Sequence, residues 1–351
     1  MVDYIVVGLG LAGISFCEQL EREGKTFRVV TDASQQASQV AGGLYNPVIL
    51  KRFTMAWKAQ HQMEMAKPFY KALEQKLGVP LDYGHPVLRK FASVEEQNGW
   101  FEASDRPGLD HFLSTKVHPN HNPNIDAPYG FGEVKHTGRI DTGTLVNSYK
   151  GYLESKEVLL QETFDYESFS IYENHVAYKG LEAKQIVFAC GYGLKNNPHF
   201  NYLPLNGTKG ELLIIKAPEY KENNVIKSSV FTIPWGGDLY LVGATYKWKD
   251  KTNEPTEESK NELLEKLVTF LKCDFEIVDH RAGIRPTVVD RRPLVGRHPE
   301  HQNIYVLNGF GSRGVLIAPY ASSQLFNFIE ESMDLDPEID IQRFTKKYYP
   351  N

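Results

Sequence analysis

Apolar and polar positions follow their clearest pattern at the two ends of the chain. Tyr4-Ile5-Val6-Val7 is a continuous apolar run, Gly8-Leu9-Gly10-Leu11-Ala12-Gly13 follows, and an amphipathic stretch leads to Gly24. A second run, Phe27-Arg28-Val29-Val30-Thr31, is closed by Asp32. The order reads strand, glycine turn, helix, strand, acid. Near the other end, residues 303–307 predict a strand, Gly309-Phe310-Gly311-Ser312-Arg313-Gly314 a second glycine turn, and residues 315–330 a long helix. Between them, residues 184–191 form an apolar run ending in Ala189-Cys190-Gly191, the signature of a central parallel strand. Further strands are expected at 87–91, 158–160, 166–172 and 175–178, and a β-rich block at 210–246 with strands at 211–215, 230–233 and 239–242. Helices are expected at 55–78, with Pro68 as a kink and Gly78 as C-cap, after the capping box Ser93-Val94-Glu95-Glu96, and over 142–154. In a last helix, 258–271, Leu263, Leu264, Leu267, Val268 and Leu271 share one face. Residues 104–130, rich in Pro, Asn, Asp and His, predict a loop.

A strand, glycine turn and helix at both ends implies one nucleotide-binding unit assembled from distant segments. The predicted fold class is α/β (α+β overall): a Rossmann-like dinucleotide-binding domain, discontinuous, with an inserted antiparallel-sheet substrate domain. Residues 1–50, 138–205 and 280–351 are assigned to the first, residues 51–137 and 206–279 to the second. Within the first turn each glycine has its own reason: Gly8 permits the tight turn, Gly10 lets backbone approach a pyrophosphate, and Gly13 lets helix pack on strand. Asp32 lies 32 − 13 = 19 residues past the last glycine, where its carboxylate can accept from ribose hydroxyls. The small, polar residues 33–41 and then Gly42-Gly43 suit either a backbone passing close to that ligand or a plain surface loop.

Composition narrows the partners. The 351 residues are 41% hydrophobic and 12% aromatic, enough for a sizeable core, and the net charge of −5 gives no bulk attraction to nucleic acid or anionic membrane. No apolar stretch reaches the ~18 residues of a membrane span, and the N-terminus lacks the basic region of a secretion signal. Three cysteines, Cys17, Cys190 and Cys273, are odd in number and sit in apolar settings, as reduced thiols of a cytoplasmic protein would. His118-Pro119-Asn120-His121 has no accompanying carboxylate or cysteine cluster and is read as solvated loop, so no metal site is expected.

Six segments in order carry a family likeness: the first turn with Asp32, Gly138-Arg139-Ile140-Asp141, residues 186–191, Leu241-Val242-Gly243-Ala244-Thr245, Ala282-Gly283-Ile284-Arg285-Pro286 with residues 290–296, and residues 308–314. Together they resemble the FAD-dependent D-amino-acid oxidase superfamily, which includes glycine and sarcosine oxidases, over nearly the whole chain. The turn Gly311-Ser312-Arg313-Gly314 with Ala318-Pro319 is also locally similar to the FAD domain of the bifunctional enzyme that completes methylaminomethyl-uridine in tRNA.

The resemblance implies oxidation of a C–N bond of a small amine or amino acid by hydride transfer to flavin N5, with oxidation of a carboxymethylaminomethyl uridine in tRNA as the alternative. It places the cofactor against Gly8, Gly10, Gly13, Asp32, Gly42, Gly43, Cys190, Gly191 and Gly283, with the Phe164 backbone beside the adenine. Gly311, Ser312, Arg313, Gly314, Val315 and Leu316 would aim amides at the flavin pyrimidine. No cysteine follows Arg285 where some relatives attach flavin, so the FAD is expected to be non-covalent. Arg285 would grip a substrate carboxylate, or else form an internal salt bridge. Phe231-Thr232-Ile233-Pro234-Trp235 replaces the tyrosine and Pro-Arg that glycine-oxidase-like relatives carry, so the pocket wall should be more aromatic, with Phe231 and Tyr246 in catalytic positions and Tyr45 and Trp248 as further candidates.

Overall fold

The computed structural model describes residues 1–32 and 34–349. Of the segment 33–41, Ala33 lies outside the described residues, and Ala37–Val40 form one helical turn. The expected strand–helix–strand unit is present as Val2–Val7, Leu11–Arg22 and Phe27–Thr31, with the two strands parallel and in register from Tyr4↔Phe27 to Val7↔Val30.

Leu181–Phe188 lies parallel to Val2–Val7 on the other side, confirming its central place. It is long enough to serve two partners: its first residues pair antiparallel with Val176–Tyr178, and its last pair parallel with Ile304–Asn308. Leu159–Gln161 extends the sheet at one edge, and Leu294–Arg297 runs antiparallel to Ile304–Asn308. The glycine turns therefore all leave the sheet at the C-terminal ends of parallel strands, where ligands of such sheets gather.

The second sheet has eight strands in the order Glu276–Arg285, Thr208–Lys216, Leu239–Gly243, Phe231–Gly236, Val225–Lys227, Val87–Lys90, Phe131–Val134, Leu113–His118. It is antiparallel except for one pair, since Val225–Lys227 runs parallel to Val87–Lys90. The strand Glu276–Arg285 spans the expected boundary at 279/280 and pairs with Thr208–Lys216 along its whole length.

Three apolar clusters hold the body together. The largest packs the helices Leu11–Arg22, Ala59–Leu77, Thr142–Ser155 and Gly314–Glu330 between the first sheet and the inner face of the second, where Leu212, Ile214, Ile233 and Leu241 point. One polar stitch crosses it: the buried Tyr70 hydroxyl donates to the Val315 carbonyl at 2.9 Å. A second cluster covers the other face of the first sheet, and a third lies between the outer face of the second sheet and the helix Glu257–Leu267.

Some local expectations are corrected. The 104–130 loop contains the strand Leu113–His118, hidden from pattern reading because, as an edge strand, it exposes Thr115 and Lys116 to solvent. The helix expected over 258–271 stops at Leu267, so Val268 is its C-cap and is 52% exposed rather than on the buried face. At the other capping box, Ser93 accepts from the Glu96 amide as expected, but Glu96 reaches back to the Ala92 amide and also holds Arg89. The helix expected from residue 55 begins at Ala59, because Thr54–Met55 pair as a short strand with Val48–Ile49; it keeps Pro68 inside and ends at Gly78 with φ +66°.

Candidate functional site

At the first turn the geometry is set by backbone crowding. Gly8 has φ +102°, and a Cβ there would stand 2.6 Å from the Ala189 carbonyl oxygen; a Cβ on Gly13 would stand 2.0 Å from the Gly8 oxygen. Both positions exclude any side chain. Gly10 has ordinary extended backbone, and a Cβ there would meet only the Ser38 hydroxyl, at 2.9 Å. Gly10, the N-cap of the helix that starts at Leu11, has no side chain with which to cap it, and no acid lies in the helix's first turn. The Leu11 amide donates instead to the Ser38 oxygen at 3.1 Å, so an acceptor oxygen fits at this helix start.

Asp32 stands at the end of the second strand. Burial opposes its charge, but hydrogen bonds from Ser34 and Thr163 outweigh that and hold the carboxyl below its usual range. One oxygen accepts from the Ser34 amide and hydroxyl, the other from Thr163 at 2.8 Å, which leaves the second oxygen room for another donor. Thr163 thus ties the segment leading into Phe164 to Asp32, with the Phe164 ring turned into the core, stacked 4.4 Å from Tyr178.

Cys190 and Gly191 close the same end of the sheet. The Cys190 thiol is pushed up to about 12 by burial, with Asp32 adding, and Gly191 has φ +56°. Gly42 packs against Ile233 and Leu241 of the second sheet, Gly43 (φ +69°) against the Ile140 carbonyl, and Gly283 against Val40 and Ala37. Backbone approaches closely at Gly43 and Gly283, whereas at Gly42 the neighbours are side-chain methyl groups.

Around the final helix, Gly311 has φ +56° and its amide donates to the Pro286 carbonyl. Ser312 and Arg313 precede the helix, Gly314 is its first residue against Leu11, and Val315 and Leu316 follow in its buried first turn. Arg313 donates to the Asn46 carbonyl at 3.0 Å. Arg285, at the end of its strand, donates to the Thr245 carbonyl at 3.2 Å and lies over the Tyr246 ring at 4.4 Å. Burial lowers the pKa of both guanidiniums, with Tyr246 the nearby group that favours their charge. Neither has a carboxylate within ion-pair range among the described residues, so the internal salt bridge considered for Arg285 does not form.

The other candidates separate. Tyr246 is 56% exposed at the entrance to this arginine pair, and Trp248 is 50% exposed. Phe231 lies on the inner face with two strands between its own and that of Arg285, under the Lys227 ammonium at 4.4 Å. Tyr45 is buried and donates to Asp82 at 2.6 Å. His118 lies 3.1 Å from the Glu133 carboxylate, and His121 is exposed.

A family described as FAD dependent oxidoreductase (DAO) matches residues 3–325. The chain belongs to that family. Glycine oxidase of Bacillus subtilis is 23% identical over 93% of this chain and 92% of its own length. The tRNA 5-methylaminomethyl-2-thiouridine biosynthesis bifunctional protein MnmC of Legionella pneumophila (strain Corby) is 22% identical over 98% of this chain, which spans 57% of that protein. Among solved structures, glycine oxidase from Geobacillus kaustophilus superposes with a TM-score of 0.79 at 18% identity, covering 100% of this chain and 99% of its own. L-proline dehydrogenase from P. horikoshii superposes at 0.75 and 16% identity, covering 98% of each chain.

For this FAD-dependent oxidoreductase the residues fit the cofactor. The helix start at Leu11 behind a glycine N-cap, the crowded Gly8 and Gly13, and the free acceptor capacity of Asp32 match the demands of a pyrophosphate and a ribose.

Sequence alone assigns no individual role to two further residues, although Arg139 lies in one of the family segments. A Cβ on Gly210 would stand 2.0 Å from the Arg285 Nη2, so only glycine lets the guanidinium lie flat there. Arg139 is buried between the Trp235 and Tyr83 rings, 4.0 and 4.7 Å from their centres, 3.5 Å from Asp141, with Nε and Nη1 unpartnered. Gly210 reads in sequence only as a weak strand residue, and the partners of Arg139 come from three separate segments.

Proposed function

We propose that this flavoenzyme oxidises a C–N bond of a small amino acid, with Arg285 as the carboxylate anchor. One observation carries the reading: two half-buried arginines, Arg285 stacked on Tyr246 and Arg313 near it, have no carboxylate partner among the described residues. A cation partly withdrawn from water without a partner is destabilising, and a carboxylate arriving with the substrate relieves that. FAD, when bound, supplies the two-electron acceptor. Arg285 spends one N–H on Thr245, which fixes the plane of the fork and leaves its other donors for a two-pronged grip. Tyr246 holds the opposite face of the guanidinium, and the inner-face side chains Phe231, Ile233 and Trp235 exclude water.

The domain roles proposed are those expected from the sequence, with Arg285 reaching the substrate from a strand of the second sheet. Non-covalent attachment is supported by the Cys190 thiol, which is held protonated, and by Cys17 and Cys273, both buried. Three free thiols suit a cytoplasmic location.

The test is Arg285→Lys, which keeps the charge and loses the fork. FAD should stay bound while anaerobic flavin reduction by the best amino acid falls on the order of a hundredfold. Reduction at the parent rate would refute the anchor.

A tRNA substrate is the second reading, favoured by the exposed Trp248 among Lys247, Lys249 and Lys251. Against it, Lys247 is committed to Glu258 and Glu262, and Lys251 to the carbonyls of Gly207 and Trp248. Salt-sensitive tRNA binding would favour that reading.

A further inference from the structure

We propose that His199, His298 and His301 form a binding site for one divalent transition-metal ion, best matched by Zn²⁺. The site would clip the segment around His199 to the hairpin that joins Leu294–Arg297 to Ile304–Asn308. It does not depend on the substrate reading above.

The geometry is that of imidazoles gathered by the fold. One ring nitrogen of each histidine lies within 4.8 Å of the others. The His298 and His301 rings are 4.7 Å apart, and that of His199 is 6.0 and 6.1 Å from them. Zinc–nitrogen bonds of about 2.0–2.1 Å in a tetrahedral shell put ligand nitrogens roughly 3.3 Å apart. The cluster must therefore tighten by about 1.5 Å, and side-chain rotation of His199 and His301, both only half-buried, can supply it while buried His298 stays fixed.

The chemistry of the donor set selects the ion. All three donors are imidazoles, which bind first-row divalent ions through a ring nitrogen. The His298 Nδ1 accepts from the Glu300 amide at 3.2 Å, a hydrogen bond that an ion on this nitrogen would displace. No carboxylate or thiol belongs to the trio, which disfavours Mg²⁺ and Ca²⁺ and suits Zn²⁺, Ni²⁺ or Cu²⁺. Three protein ligands leave a fourth position open.

The location argues for a structural role. The His298 amide donates to the Ile304 carbonyl, at the N-terminal end of a parallel strand whose other end carries the Gly309 turn. That five-residue strand is about 16 Å long. The ligands are 298 − 199 = 99 residues apart, so the ion would tie distant segments.

The sequence pairs His-Pro-x-His twice, at residues 118–121 and 298–301. At the first, His118 faces a lone carboxylate. At the second, the fold delivers a third imidazole, which no local pattern announces.

The test uses the holoenzyme, purified without a metal-affinity tag, stripped with a chelator, re-equilibrated with Zn²⁺ and gel-filtered, with metal and flavin counted per chain. One Zn²⁺ per chain and a raised melting temperature are expected. His301→Ala and, from the other segment, His199→Ala should each weaken Zn²⁺ binding by at least ten- to a hundredfold, the range for losing even a supporting partner of a metal site. Both should keep full FAD, which checks that they fold; exposed His121→Ala should bind as the parent does. Less than stoichiometric Zn²⁺ in the parent, or undiminished binding in the FAD-loaded variants, would overturn the proposal.

Discussion

Adding one methyl group at Gly210 tests the proposed site without touching a catalytic residue. Gly210 has no left-handed backbone, so alanine fits the strand, and the clash falls on the guanidinium of Arg285. The new Cβ would lie 2.0 Å from Nη2, 2.2 Å from Cζ and 2.3 Å from Nη1, whereas ordinary contact begins at 3.4 Å. The fork must move by 3.4 − 2.0 = 1.4 Å at least. Because the atom displaced is the end of a flexible side chain, the stability cost should sit at the low end of the roughly 1–3 kcal/mol of overpacking. Misplacing a bound substrate by about 1 Å costs on the order of a hundredfold, or about 2.7 kcal/mol of barrier. Anaerobic stopped-flow of flavin bleaching should therefore show Gly210→Ala slowed about a hundredfold with an amino acid, yet near parent with a carboxylate-free amine of equal size. With Arg285→Lys added, the two losses should not sum, since both act through one fork. Parent-like reduction of the amino acid by the FAD-loaded variant would refute the reasoning.

Gly13→Ala drives its Cβ into the Gly8 backbone at 2.0 Å, where nothing flexible can yield, so it should lower the melting temperature and strip FAD. Gly10→Ala, which meets only the Ser38 side chain, should fold normally, and calorimetry together with flavin content distinguishes the two. Asp32→Ala removes a charged acceptor and should weaken FAD binding by roughly 1.5–3 kcal/mol, read by titrating the apoprotein. Lys227→Met bears on pH. Burial, with Arg89 and Lys266 adding, lowers the Lys227 ammonium to about 8 from 10.5, so the unfolded chain binds more protons between those values. The parent should thus gain stability as pH rises from 8 to 10.5, and Met should stabilise by roughly 1–3 kcal/mol below pH 8, with the advantage gone above 10.5. An advantage independent of pH would refute the assignment.

The nucleotide end was legible because its constraints are local. Periodicity marks strand and helix within thirty residues, and Gly8 and Gly13 answer to crowding inside that same unit. Long-range pairing hid the rest. Lys209 and Glu211 are fully buried charges in a strand, a pattern that argues against a strand until their partners Asp250, Thr256 and His280 are seen around them. Gly210 between them acquires its role only when Arg285 arrives 75 residues later. The edge strand Leu113–His118 escaped because solvent on its outward side removes the alternation that marks half-buried strands.

The single parallel pair in the second sheet has a consequence for biosynthesis. Val87–Lys90 leaves the ribosome long before Val225–Lys227, its neighbour, whose first residue follows Lys90 by 225 − 90 = 135 positions. Until that neighbour emerges, the nascent three-strand fragment of Val87–Lys90, Phe131–Val134 and Leu113–His118 presents an open inner edge and an uncovered apolar face. Such high contact order makes closure slow, and an open edge invites pairing with other chains. Translation stopped between residues 135 and 224 should thus yield a chaperone-dependent, aggregation-prone chain, and the sheet should consolidate only as its second half is made.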